Sequence, residues 1–284
     1  MIKMYRLTKG QLRWLAMLFM VLDHFAEMFL KPGLEGRSEI LTKLQLSRPV
    51  AKILCEVFLD LGTFTGIVMI YFLIEGYFYT KDLKKYLLRL LLFGLISQIP
   101  FYVAFRFPDL NMLFTLAVCL CTIYVHYHVP DSGKKNLMIL GLFLVNCFSD
   151  WTIMAVPITL FLVEAFEPVP KDQRSLQDQI INSGHRFKVD QNRLKIAWIK
   201  SFLLMLIVFA ASTESLFNAA ASTGGFIFAA VLLTFYYDDS KPEAPGSEAT
   251  DGAGSFFSVL KKYFFYIFYP LHLIILLVIY RSVV

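Results

Sequence analysis

Nine predominantly apolar runs follow one another along the chain, at 11–30, 54–79, 83–105, 111–126, 137–149, 151–166, 196–212, 217–237 and 263–280. Crossing a hydrocarbon core of about 30 Å takes ~20 helical residues, and in lipid each segment must satisfy its own backbone N–H and C=O groups. The pattern therefore predicts an all-α polytopic membrane protein of about nine spanning helices. The runs at 137–149 and 151–166 are short, with Asp150 marking a tight turn between them. They read equally well as half-spans or re-entrant pieces, so eight to ten spans fit.

Two stretches break this texture. Residues 168–195 are polar with both signs of charge, predicting a loop with some short helix. Residues 238–258, DDSKPEAPGSEATDGAGSFFS, are rich in Pro, Gly, Ala, Ser and acid. Such a segment buries too little surface to offset its ordering entropy and predicts a disordered linker. Residues 1–284 otherwise read as a single transmembrane domain.

Composition agrees: 57% apolar, 16% aromatic and only 17% charged. A soluble domain cannot hide that much apolar surface. Most of the 27 Lys and Arg fall on one side if the N terminus is cytoplasmic, including Lys3, Arg6, Lys9 and Arg13 and a cluster between Lys171 and Lys200. Positive residues accumulate on the cytoplasmic side. The net charge of +5 thus reflects an N-in topology with 168–195 and 238–258 cytoplasmic, and needs no nucleic-acid partner. The first run carries Asp23, His24 and Glu27 and lacks a small-x-small cleavage site, so it is expected to be a retained span. Cys55, Cys119, Cys121 and Cys147 form no CxxC and read as reduced packing residues. The common hydrolase and zinc motifs are absent from the sequence, and no metal is expected.

Asp23-His24 is the pair that points to chemistry. An ionisable group at membrane depth costs ~2.5–3.5 kcal/mol even on lenient insertion scales, so such groups face a bundle interior or a wet cavity. Glu27 is i+4 from Asp23 and i+3 from His24, which puts all three on one arc of a helix. A carboxylate raises imidazole basicity and fixes its tautomer, so Asp23 or Glu27 is expected to hold His24. The last run carries Pro270 two residues before His272; the proline frees a carbonyl one turn earlier, to which His272 could be tied, or His272 could act directly. Lys81, Lys85 and Arg89 form an i, i+4, i+8 stripe with Lys84 beside it. A cation stripe at a cavity mouth suits a phosphate-rich ligand; the alternative is a topological anchor, with Arg89 paired to Glu75.

Four blocks resemble the TraX family of conjugative-pilin acetylases. They are LTKGQLRWLAMLFMVLDH (7–24), FLIEGYFYTKDLKKYLLRLLLFGLISQIPF (72–101), NMLFTL (111–116) and KKYFFYIFYPLHLIILLVIY (261–280). The resemblance implies a multi-pass acetyltransferase of the bacterial cytoplasmic membrane that uses acetyl-CoA and modifies a pilin N terminus. The wider group of transmembrane acyltransferases implies peptide or glycan acceptors. Asp23-His24 match the family's most distinctive pair, and Glu75, Arg89, Asn111 and His272 match its polar positions. The chain departs from the pattern at Gln98, where the family usually has an acid, at Asp150-Trp151-Thr152 in place of aspartate-tyrosine-glycine, and in the long 238–258 segment. The expectation is transfer from acetyl-CoA held by Lys81, Lys84, Lys85 and Arg89, with His24 as base or acetyl carrier. The other classes are a proton-coupled transporter, in which Asp23, His24, Glu75 and His272 form a relay, and an inactive scaffold of a secretion or conjugation complex.

Overall fold

The computed structural model describes residues 6–106, 108–169, 187–212, 220, 222–237 and 256–283. Helix α1 (Lys9–Phe25) opens on a reciprocal cap: Thr8 Oγ1 accepts from the Gln11 amide at 3.3 Å and Gln11 Oε1 accepts from the Thr8 amide at 2.9 Å. The rod continues through one π turn (Ala26–Leu30) into α2 (Lys31–Leu34), so the first apolar run is a single helical path whose irregularity begins two residues after His24. A short α3 (Ile40–Lys43) leads to α4 (Arg48–Tyr79), which at 32 residues is about 48 Å long. It begins six residues before the apolar run because Pro49, in its first turn, suits a helix start. Helix α5 (Leu83–Phe105) has the boundaries its apolar run predicts, starting where Asp82 caps the Lys85 amide at 3.0 Å. Its outward face, Leu88, Leu92, Leu95, Ile99 and Tyr102, repeats at alternating steps of four and three; that is the face for lipid.

Helices α6 (Met112–His128), α7 (Ser132–Asn146) and the nine-residue α8 (Ala155–Val163) follow. A two-stranded antiparallel sheet then departs from the all-α expectation: β1 (Phe166–Pro168) pairs with β2 (Phe187–Val189). Tyr127, whose hydroxyl donates to the Phe166 carbonyl at 2.7 Å, and Phe78 pack against it. Its aromatic residues found a core to bury in, whereas the surrounding polarity had predicted a loop. Residues 170–186 of the 168–195 segment lie outside the described residues. Helix α9 (Gln191–Ser212) starts where Asp190 Oδ1 accepts the Asn192 and Arg193 amides. Helix α10 (Gly224–Val231) ends in a second π turn (Leu232–Tyr236), and α11 (Phe256–Val283) closes the described chain. The expected 238–258 linker lies outside the described residues except at 256–258, which already belong to α11.

The protein is thus mostly helical. Four segments among the described residues are long and apolar enough to cross a membrane, Arg48–Tyr79, Leu83–Phe105, Gln191–Ser212 and Tyr263–Val283, with shorter apolar helices at Met112–His128 and Gly224–Tyr236. Helix α4 is the hub, packing on α1, α6, α8 and α10, while α11 lies against α5. The α4–α10 crossing is tight because α10 carries no side chain there: a Cβ on Gly225 would overlap the Asp60 backbone carbonyl. By contrast, Gly141 on α7 has nothing within 4 Å of where its Cβ would lie.

Gly225→Ala is therefore expected to destabilise the bundle by about 1–3 kcal/mol through overpacking, and Gly141→Ala to be neutral or stabilising by up to ~1 kcal/mol. Thermal unfolding of both variants in one detergent checks this; equal behaviour would overturn the account of the crossing.

Candidate active site

Helices α1 and α11 meet at two histidines 248 positions apart. His24 Nδ1 and His272 Nε2 lie 2.7 Å apart, and the rings stack with centroids 4.9 Å apart and 10° between planes. Both are buried, at 6% and 4% exposure. The neighbouring contact fixes the protons. His272 Nδ1 is 2.9 Å from the Phe268 carbonyl, which can only accept, so Nδ1 carries hydrogen. In the neutral ring Nε2 then holds a lone pair and must accept from His24 Nδ1–H. His24 Nε2 is left with its own lone pair. This is the tautomer a base needs, and His272 imposes it.

The carboxylates expected to hold His24 do something else. Asp23 Oδ2 stands 3.9 Å from His24 Nε2, within ion-pair range and beyond a hydrogen bond. Glu27 pairs with Lys31 at 2.8 Å. Nor is His272 tied to the carbonyl that Pro270 leaves without its usual partner, which is that of Tyr266, four residues earlier; its partner is Phe268.

Two cavities approach this pair. One, about 400 Å³, runs from Arg13, Arg89 and Thr80 at one end of the bundle to Met20, Phe268 and Tyr269 inside it. Its walls are otherwise largely apolar. Arg13 lies over the Phe72 and Phe265 rings, and Arg89 lies over Tyr86 with Tyr266 also in the cavity lining. The other, about 820 Å³, contains Asp23, His24, Glu27, Glu56, Asp60 and Asp150 in its lining. The three residues predicted to share a helical face do line one space. Asp23 fits there because α4 has no side chain at Gly62, where a Cβ would overlap the carboxylate.

Asp150 reaches this cavity through a set of backbone clamps. Gln98 Oε1 accepts both the amide (3.0 Å) and Nδ2 (2.8 Å) of Asn111, while Gln98 Nε2 donates to the Asp109 carbonyl at 2.8 Å. Asn111 Oδ1 caps α6 by accepting from Leu113. The turn so fixed pairs with the α7–α8 turn, Leu110 donating to the Phe148 carbonyl and Asp150 to the Leu110 carbonyl, each at 2.8 Å. Gln98 and Asn111 thus border neither cavity and act as scaffold. An acid at 98 would keep both Oε1 bonds and lose only the bond to Asp109. Asp150, in the turn outside any helix, is exposed to the open cavity while protein surrounds it at longer range. The surrounding protein, which displaces much of the water around it, pushes its carboxyl up to about 7, with repulsion from Glu27 and Asp109 adding.

The cation stripe is divided. Arg89 lines the smaller cavity; Lys81, Lys84 and Lys85 line neither of the two and are exposed, and Lys85 pairs with Asp82 at 3.2 Å. The Lys85 amide and ammonium hold the exposed Asp82 carboxyl below its usual range. Glu75 is not Arg89's partner. Buried to 1% exposure, it takes Lys9 Nζ at 2.8 Å and the Tyr237 hydroxyl at 3.1 Å, tying α1, α4 and the end of α10 together. Arg13 and Asp60 were not singled out from the sequence as site residues. Arg13 reads as a topological charge, but Asp60 sits inside an apolar run as Asp23 does, and that signal was available. Among the described residues no cluster of three His, Cys, Asp or Glu could hold a metal.

A helical, membrane-type bundle with a buried histidine pair between two polar-ended cavities is the class this geometry defines. The chain belongs to the TraX family: the family model described as TraX protein matches residues 8–174. It is also 32% identical over 169 residues to a protein described as a probable fimbrial assembly protein FimC, serogroup H1, of Dichelobacter nodosus. That match covers 55% of this chain and 62% of the relative, so the chain spans less than two thirds of that protein. No solved structure matches.

Two outcomes test this geometry. A carboxyl raised in the folded state costs stability as pH climbs from about 4, its unfolded value, toward the folded one. Asp150→Asn is therefore expected to raise Tm at pH 8, with the gap to wild type closing by about pH 4; a pH-independent gap would overturn it. Lys9→Met strands a buried carboxylate and is expected to cost on the order of 3 kcal/mol, largely recovered in Lys9→Met/Glu75→Gln when thermal unfolding is compared.

Proposed function

We propose that this protein is an integral-membrane acetyltransferase that moves acetyl from acetyl-CoA to an amine or hydroxyl acceptor. In this reading the chain has about nine spans, its N terminus is cytoplasmic, and it lies in the bacterial cytoplasmic membrane. The supporting observation is His24 Nε2, a buried lone pair set by His272, facing a carboxylate-lined cavity and backed by a second cavity that ends in two arginines.

The charges divide the labour. CoA is polyanionic, so its phosphates suit Arg13 and Arg89, and the apolar wall of the smaller cavity suits the pantetheine arm and thioester. The larger cavity repels phosphate and receives the acceptor. His24 Nε2 takes the acceptor's proton as its nitrogen or oxygen bonds to the acetyl carbon. The carbon–sulfur bond then breaks, and the thiolate recovers that proton from His24. Asp23, 3.9 Å away, stabilises the transient imidazolium. His272 is a positioning residue. Membership of the TraX family and the likeness to a fimbrial assembly protein support a pilin-like peptide N terminus as acceptor, with a glycan or small peptide as the wider alternative.

Labelled acetyl-CoA supplied to purified protein in vesicles tests the reading. His24→Ala is expected to lose about 10²–10⁴-fold in kcat, and full activity in that variant would sink it. Arg13→Gln and Arg89→Gln are each expected to raise donor KM about ten- to hundredfold with acceptor KM unchanged. Neutralising Lys81, Lys84 and Lys85 should move donor KM by no more than about twofold, as exposed charges do.

A further inference from the structure

Tyr269 has no place in the proton transfers described above, yet its ring separates the donor cavity from the histidine pair. It is buried to 2% exposure, lines the donor cavity beside Met20 and Phe268, and meets His24 and His272 edge-on at centroid distances of 6.2 and 5.7 Å. Its hydroxyl oxygen accepts the Met112 amide at 3.4 Å. Met112 is the first residue of α6, whose neighbouring amides are taken by Gln98 and Asn111. The phenol therefore completes the amide satisfaction of a helix N terminus and sits at the positive end of a 17-residue helix. That explains why its oxygen is where it is. It does not use its proton, for which no acceptor lies within hydrogen-bond distance among the described residues. Buried hydroxyls ordinarily donate as well as accept.

Resting on the acetyltransferase reading, we infer that Tyr269 is a catalytic residue whose O–H donates to the thioester carbonyl oxygen as that oxygen becomes an oxyanion. The acceptor's nucleophile bonds to the carbonyl carbon, and the carbonyl electron pair moves onto oxygen, where the Tyr269 hydrogen bond holds it. The pair returns as the carbon–sulfur bond breaks, and the thiolate leaves with the proton carried by His24. Tyr269 keeps its own proton throughout. A donor polarised by a helix N terminus and shielded from water is what such stabilisation requires, because it strengthens as charge develops on the substrate oxygen.

Tyr269→Phe tests this in the full-length protein reconstituted in vesicles with acetyl-CoA. The ring and its packing remain, and only the donor is lost. The expected result is a fall of about 10²-fold or more in kcat, with donor and acceptor KM each within about twofold. The infrared carbonyl band of bound ¹³C-acetyl-CoA, shifted to lower frequency by wild type, should return to its solution position. A well-folded variant with kcat within about threefold of wild type, or a loss confined to KM, overturns the assignment while wild-type turnover keeps the acetyltransferase reading intact. Wild type that transfers acetyl to neither amines nor hydroxyls removes that reading and this assignment with it. Should Tyr269→Phe not fold, 3-fluorotyrosine at position 269 keeps the hydroxyl and makes it a stronger donor at neutral pH. A further band shift and an altered kcat are expected, and unchanged values overturn the assignment.

Discussion

The hydrogen bond between His24 and His272 is the constraint on which the arrangement turns. It joins a helix near one end of the chain to one near the other, at a depth where each unpaired ring nitrogen is costly. Away from this point α1 packs mainly along α4 and α11 along α5, and the two meet again where Trp14 and Arg13 lie against Phe264 and Phe265. The space they leave on one side is the arginine-ended cavity. The space between α1, α4 and the α7–α8 turn on the other is the carboxylate-lined one. The histidine contact thus ties α1 to α11, fixes a tautomer and lies between two compartments.

Electrostatics makes that separation chemically meaningful. Arg13 and Arg89 lie against aromatic faces, where a cation is attracted to the ring while its stem covers apolar surface. The opposite cavity gathers Asp23, Glu27, Glu56, Asp60 and Asp150, and of these Glu27 has Lys31 at 2.8 Å and Glu56 has Lys52 at 3.9 Å as counter-ions. Carboxylates so crowded repel one another, and part of that tension is visible at Asp150. The fold tolerates it because rigid supports on other elements hold the groups: the Gln98–Asn111 clamp behind Asp150, the bare Gly62 surface under Asp23, and the Gly225 amide donating to Asp60 at 2.8 Å.

How much of this the sequence disclosed follows from what each signal contains. Apolar run length locates helices, which is why α5 emerges with its predicted ends. Periodicity tells which residues share a face, which is why Asp23, His24 and Glu27 line one cavity. Neither signal says what covers that face. Lys81, Lys85 and Arg89 share a stripe, yet α11 and α1 roof only its Arg89 end, so the lysines remain outside. Helix ends and turns depend on single residues, so Pro49 and the aromatic residues of β1 and β2 shifted boundaries that hydropathy could not fix. Asp60 was the readable omission, since it lies within an apolar run and met the criterion applied to Asp23.

The contacts that orient His24 were illegible for a deeper reason. Asp23 is its neighbour in sequence, and adjacency suggested a carboxylate–imidazole couple. On a helix, however, successive side chains diverge by about 100°, so adjacent residues cannot easily point a ring nitrogen and a carboxylate directly at each other. A partner from another helix can, and His272 does so at 2.7 Å with near-parallel rings. Because its own Nδ1 is committed to Phe268, His272 offers only a lone pair. A carboxylate in the same position would accept the same hydrogen but add a buried charge already present in excess nearby. Neutral histidine therefore supplies the orientation of an acid–base partner while leaving Asp23 uncommitted, so the carboxylate can respond when His24 becomes charged.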